Sequence, residues 1–133
     1  MKIKTSELTG AALDWAVALI EYPEWKEQGF LEVFPYDLSF DDGTTYAPST
    51  DWSRSGPIIE REGILLRPLR KDGLFGLWLA MYDGDNTGSL VRWLNSPWAP
   101  RNYSKGPTPL IAAMRCYVAS KFGDEVEMPE ELK

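Results

Sequence analysis

The chain has 133 residues, 14 Lys and Arg against 20 Asp and Glu, no His and a single Cys, Cys116. That length supports one domain with a real core. One cysteine rules out an intramolecular disulfide, a zinc site would rest almost wholly on carboxylates, and without His every Ser-His or Cys-His nucleophile scheme is excluded. The net charge of −6 argues against broad binding of duplex nucleic acid, which depends on cations displacing counterions from phosphates. The charge is unevenly spread. Residues 1–53 hold 3 basic and 10 acidic groups, 54–121 hold 10 and 5, and 122–133 hold 1 and 5. The basic middle suits a small anion even though the whole repels a long one. The apolar run from Leu8 to Ile20 is broken by Asp14, is followed by no small-residue cleavage site and is too short to span a bilayer, so a soluble, cytoplasmic protein is expected.

In chain order, the first element is a helix. Leu8, Ala12, Trp15 and Leu19 recur at helical spacing, Thr5 or Ser6 is placed to cap it, and Pro23 is expected to stop it. Residues 23–57 carry four prolines, the turn Asp42-Gly43 and many aromatics, and read as a long irregular region too aromatic for a disordered linker. Ile58 to Leu66 reads as strand, either two short pieces or one bulged at Gly63. Lys71-Asp72-Gly73 reads as a hairpin turn into a strand from Leu74 to Tyr82, and Asp83 to Asn86 as a turn before a third strand at Leu90 to Leu94, with antiparallel pairing from the short connections. The last helix is the clearest: Thr108 is its N-cap, Pro109 its first residue, Leu110, Ile111, Met114, Tyr117 and Val118 its apolar face, and Gly123 its stop. From Asp124 the acidic tail, residues 124–133, reads as a solvated extension, with Val126, Met128 and Leu132 as the residues able to pin it. The expected fold is a single α+β domain over 1–133, a small antiparallel sheet of three or four strands packed with an N-terminal and a C-terminal helix, as two layers or as an α-β-α sandwich.

Three stretches taken together carry a resemblance: Lys4 to Ala18; Tyr46 to Trp52 with Gly56 to Glu60; and Gly106 to Lys121 followed by Gly123 to Glu127 and Pro129. In this order they resemble the NinX-like family of small proteins of lambdoid phages and prophages, across nearly the whole chain. A weaker likeness is to small phage domains that form α-β-α sandwiches. The resemblance implies a phage accessory protein in the host cytoplasm and supplies no reaction, cofactor or catalytic residues. Residues 67–105 depart from the family pattern, being longer and richer in Trp and Gly. Phage proteins of this size often act against host defence, some by sequestering nucleotide signals, an analogy of class and size only.

Candidate ligand residues fall into three groups. In the first, the Tyr46 and Trp52 rings would stack a base while Thr50 and Asp51 accept its hydrogen bonds; the plainer reading is that Pro48 to Asp51 is a turn or helix cap and Trp52 a core plug. In the second, Lys105, the start of the helix at Thr108, and Arg115 two turns along it would hold a phosphate, against plain capping and an ordinary arginine. In the third, Trp93 and Trp98, flanked by Arg92 and Arg101, have the composition that suits a base and its phosphate, with Arg61 as a further phosphate ligand; loop core plugs are the alternative. Glu60, Arg61 and Glu62 read as an exposed sheet face before a paired-carboxylate site. Cys116 reads as core.

Three functions are thus open: a non-enzymatic binder of a nucleotide-like ligand, a module that docks onto a host or phage protein, and, least favoured, a carboxylate-dependent enzyme. No metal or cofactor is expected. Pairing with a second copy is expected from a sheet with a free edge and surplus aromatics.

Overall fold

The computed structural model describes residues 1–33, 35, 38–69, 76–82 and 103–132. In chain order these form β1 (Lys2–Lys4), a 3-10 turn (Thr5–Glu7), α1 (Gly10–Glu21), α2 (Pro23–Glu27), α3 (Phe30–Val33), α4 (Trp52–Glu62), β2 (Ile64–Pro68), β3 (Trp78–Tyr82), β4 (Tyr103–Gly106), α5 (Pro109–Phe122), β5 (Glu125–Glu127) and a closing 3-10 turn (Glu130–Leu132). The fold is α+β, as the sequence indicates.

The last helix forms as its sequence dictates. The Thr108 hydroxyl accepts from the Ile111 N–H at 3.1 Å, Pro109 occupies the first turn, and Gly123 ends the helix. The helix is buried on several sides, through Leu110, Ala112, Ala113, Met114, Cys116, Tyr117 and Val118. That breadth follows from its position: α5 lies against all three strands of the sheet β2-β3-β4 and also against α1. Small residues on α5 allow the approach. At Gly106 a Cβ would stand only 2.7 Å from the Ala112 backbone nitrogen, so β4 meets the first turn of α5 where only glycine fits.

The sheet is antiparallel, as the short connections predict, with Ile64 opposite Tyr82, Pro68 opposite Trp78, and Trp78 opposite Gly106. Its third strand is Tyr103–Gly106. The expected third strand at Leu90 to Leu94, like the turns at 71–73 and 83–86, lies outside the described residues.

Two expectations need correction. Ile58 to Glu62 is not strand but the end of α4, which Asp51 caps and Gly63 closes in the left-handed conformation, φ 69°. Gly63 is a helix stop, neither a bulge nor the break between two short strands, and only Ile64–Pro68 is strand. The segment after Pro23 is not irregular throughout. Pro23 opens α2 instead of merely ending α1, and the Trp15 indole N–H donates to the Leu31 carbonyl at 2.8 Å, tying α3 to α1 inside the core. At the start of the chain Thr9, not Thr5 or Ser6, occupies the position before α1, without a side-chain cap.

The acidic tail is pinned. β5 pairs with β1 as a separate two-stranded ribbon, and Val126, Met128 and Leu132 are buried. The N-terminal ammonium reaches the Glu127 carboxylate at 2.6 Å. Among the described residues no helix is long and apolar enough to cross a membrane.

Candidate functional site

Tyr46 is 3 % exposed. Its ring meets those of Tyr22, Trp25 and Phe40 edge-on, at 5.2, 6.0 and 5.9 Å between centroids, while Tyr22 and Trp25 stack at 4.4 Å. Edge-to-face packing of this kind uses the ring faces internally, which leaves Tyr46 no free face for a base. Burial also raises the Tyr46 hydroxyl's pKa far above its usual value. An aromatic-plus-guanidinium pairing occurs here, where Arg54 lies 4.3 Å over the Phe40 ring and donates to the Thr44 hydroxyl at 3.3 Å.

The neighbouring loop is built for capping. Asp51 accepts from the Ser53 N–H at 3.0 Å and from its hydroxyl at 2.6 Å, and these bonds hold its carboxyl below the ordinary range. The Ser49 N–H donates at 2.8 Å to Asp14, a buried carboxylate of α1 whose pKa burial raises. Thr50 turns its N–H to the Ala47 carbonyl. Trp52, the first residue of α4, is 55 % exposed and plugs no core. Trp93 and Trp98 lie outside the described residues.

Arg61 sits in the last turn of α4, within a network that spans three helices and a strand. Its two terminal nitrogens each donate to one oxygen of Glu21 at 3.1 Å, its Nε reaches Glu62 at 3.2 Å, and it touches the Tyr117 hydroxyl at 3.1 Å. Tyr117 donates to Glu21 at 3.0 Å, and the Tyr82 hydroxyl meets Ser120 at 2.9 Å. The acids around Arg61 stabilise its charge and raise its pKa, so this guanidinium is already engaged. Burial pushes the Tyr82 hydroxyl up to about 12. Glu60, Arg61 and Glu62 are successive residues of a helix, so the strand alternation that would place the two acids on one face does not apply.

Lys105 and Arg115, by contrast, do come together. Both line an open groove of about 740 Å³ between the N-terminal segment, β4 and α5, together with Lys4, Tyr103 and Asp124. Thr108 caps α5 immediately after this groove's wall at Pro107. The Arg115 Nε donates to the Leu8 carbonyl at 2.7 Å and one terminal nitrogen to the Lys105 carbonyl at 2.9 Å. Those two bonds fix the guanidinium in place, and half-burial alone moves its pKa down. Among the described residues no carboxylate lies within 4.0 Å of Arg115. The Lys105 ammonium lies 5.8 Å from the centre of the Tyr103 ring, which puts an aromatic face and a cation on the same side of β4. Lys4 and Tyr103 were not singled out from the sequence. Alternation along Tyr103-Ser104-Lys105 would have revealed the second had this segment been read as strand.

Cys116 is buried, as expected, with its thiol pushed up to about 12. Among the described residues no group of three or more His, Cys, Asp or Glu side chains is arranged to hold a metal ion.

No curated protein matches this sequence. A family model described as bacteriophage P22 NinX matches residues 4–121, which takes in α1, the Asp51 cap, the sheet and nearly all of α5. The chain therefore belongs to the NinX family of bacteriophage proteins.

Proposed function

We propose that this phage protein binds a small anionic, nucleotide-like molecule in the groove between the N-terminal segment, β4 and α5, and holds it without turning it over. The observation that carries this reading is Arg115, a half-buried guanidinium fixed by two carbonyls, without a carboxylate partner among the described residues, in a groove it shares with Lys4 and Lys105. A cation placed in this way is already ordered before an anion arrives, so little side-chain entropy opposes binding. Tyr103 offers a face on which a base can stack, and the acidic lining residues Asp124 and Glu125 are the acceptors available to ribose hydroxyls. Sequestration of a nucleotide signal of the host is the role that fits such a protein in a phage.

Thermal unfolding against cyclic di- and trinucleotides, cyclic ADP-ribose isomers, NAD and ADP-ribose tests the proposal. A ligand at 100 times its dissociation constant adds about 2.7 kcal/mol of stability. One compound that raises the unfolding temperature, and is recovered unaltered, supports the reading. A compound recovered as a different product replaces it with an enzyme, and no shift across the panel removes it.

A further inference from the structure

A second groove, of about 520 Å³, lies on the side of the β1-β5 ribbon away from β1. Five consecutive residues, Glu125 to Pro129, form one wall, and Trp15, Leu19 and Leu31 form the apolar floor. The pairing pattern shows what the wall presents. Thr5 N–H bonds to the Asp124 carbonyl, and Met128 N–H to the Met1 carbonyl, so the hydrogen-bonded pairs of the ribbon are Met1 with Met128, Ile3 with Val126 and Thr5 with Asp124. The N–H and C=O groups of Glu125 and Glu127 therefore point away from β1. Among the described residues β5 has no second neighbour, so this edge is open.

Charge decides what fits there. Glu32, Glu125 and Glu127 rim the groove against Lys26, while the N-terminal ammonium and Lys2 offset Glu127 and Lys4 offsets Glu125 from across the ribbon, on the strand farther from the open edge. Two copies joined edge to edge through β5 would bring Glu125 and Glu127 of one against those of the other, which like-charge repulsion opposes. Joining β5 of one copy to β1 of the next would advance each copy by two strand spacings, about 10 Å. A chain of this length has a radius of gyration of about 14 Å, so neighbouring copies would collide.

We infer that the open edge of β5 takes an extended segment of a different protein, in which apolar residues alternate with Lys or Arg. Its backbone would extend the ribbon through Glu125 and Glu127. Its apolar side chains would lie beside Val126 over Trp15 and Leu19, and its basic ones beside the two glutamates on the outer face. This surface stands apart from the anion groove except at Glu125, which borders both.

The test is fluorescence anisotropy on the whole chain with a labelled, end-blocked peptide, Lys-Val-Lys-Leu-Lys-Val-Lys, beside a scrambled peptide of the same composition and one N-methylated at the amides that would face β5. Saturable binding of the first, weakened at least tenfold by scrambling and by N-methylation, is the expected result. The same loss is expected in the variant carrying Glu32→Lys and Glu127→Lys, with its unfolding temperature checked. Equal binding of all three peptides would mean charge adhesion only and overturn the inference, as would absence of saturation. Concentration-dependent self-association that Glu125→Pro abolishes, by removing an outward-facing N–H of the edge, would assign the edge to a second copy and also overturn it. The peptide comparison needs only the parent protein, so it decides the matter even if the double variant fails to fold.

Discussion

Arg61 and Glu21 face each other as a two-pronged ion pair, each terminal guanidinium nitrogen 3.1 Å from one carboxylate oxygen. The pair ties the last turn of α4 to the last turn of α1, and Tyr117 of α5 bonds to both partners. An arginine with free donors would be a candidate phosphate ligand. This one spends its donors on joining three helices.

Arg61→Lys keeps the charge but loses the fork, so it should lower stability nearly as far as Arg61→Ala does. The Arg61 side chain is 51 % exposed, which limits the coupling to Glu21 to about 0.5–1 kcal/mol. A double-mutant cycle with Glu21→Ala, read by denaturant unfolding, measures it. Neither change should alter anion binding at the β4-α5 groove.

Asp14 should make stability depend on pH in the direction opposite to a salt-bridged acid. Burial raises its folded pKa above the unfolded value, so the folded state takes up the proton more readily. Its contribution is then most favourable at acid pH below the unfolded value, and is lost as pH rises through the folded value. Asp14→Asn keeps an oxygen for the Ser49 N–H and removes the buried charge, so at neutral pH it should be as stable as the parent or more so, with a flatter pH profile. Asp14→Ala leaves that N–H unpaired and should cost about 1–3 kcal/mol. Unfolding midpoints between pH 4 and pH 8 check both.

At Gly106 an added methyl group meets backbone and not a flexible side chain, so β4 and α5 must separate. Gly106→Ala should therefore destabilise by about 1–3 kcal/mol, measured by urea unfolding. Because Gly106 also lines the anion groove, the same variant should weaken any ligand found there.

Local signals were legible where they acted alone. Thr108, Pro109 and Gly123 mark both ends of α5 in the sequence, and α5 has those ends. The strand Trp78–Tyr82 lies within the expected Leu74 to Tyr82. α4 was misread because Ile58-Ile59 and Ile64-Leu65-Leu66 flank a glycine and look like one interrupted strand, while Pro57 argues against helix. Asp51 and Gly63, twelve residues apart, were the cap and stop that bounded it. β4 was missed because Ser104-Lys105-Gly106 has little strand propensity of its own; pairing with β3 and contact with α5 impose it. The candidate site was legible in half: Arg115 was named from its spacing along α5, and Lys105 from its place just before that helix. Tyr46, Asp51 and Arg61 were polar or aromatic in the right measure, but their partners, Phe40, Ser53 and Glu21, occupy them in ways that spacing does not reveal.

The most direct measurement is calorimetric titration of ADP-ribose, or of whichever nucleotide shifts the unfolding temperature most, into the parent protein and into Lys105→Glu. Lys105 is exposed and its side chain holds no hydrogen bond within the described chain, so this variant should fold with an unchanged unfolding temperature. The account predicts one site per chain in the parent and at least a tenfold weaker one in the variant, with affinity falling as salt rises. Equal affinity in both proteins would place the ligand elsewhere and contradict the assignment of the groove.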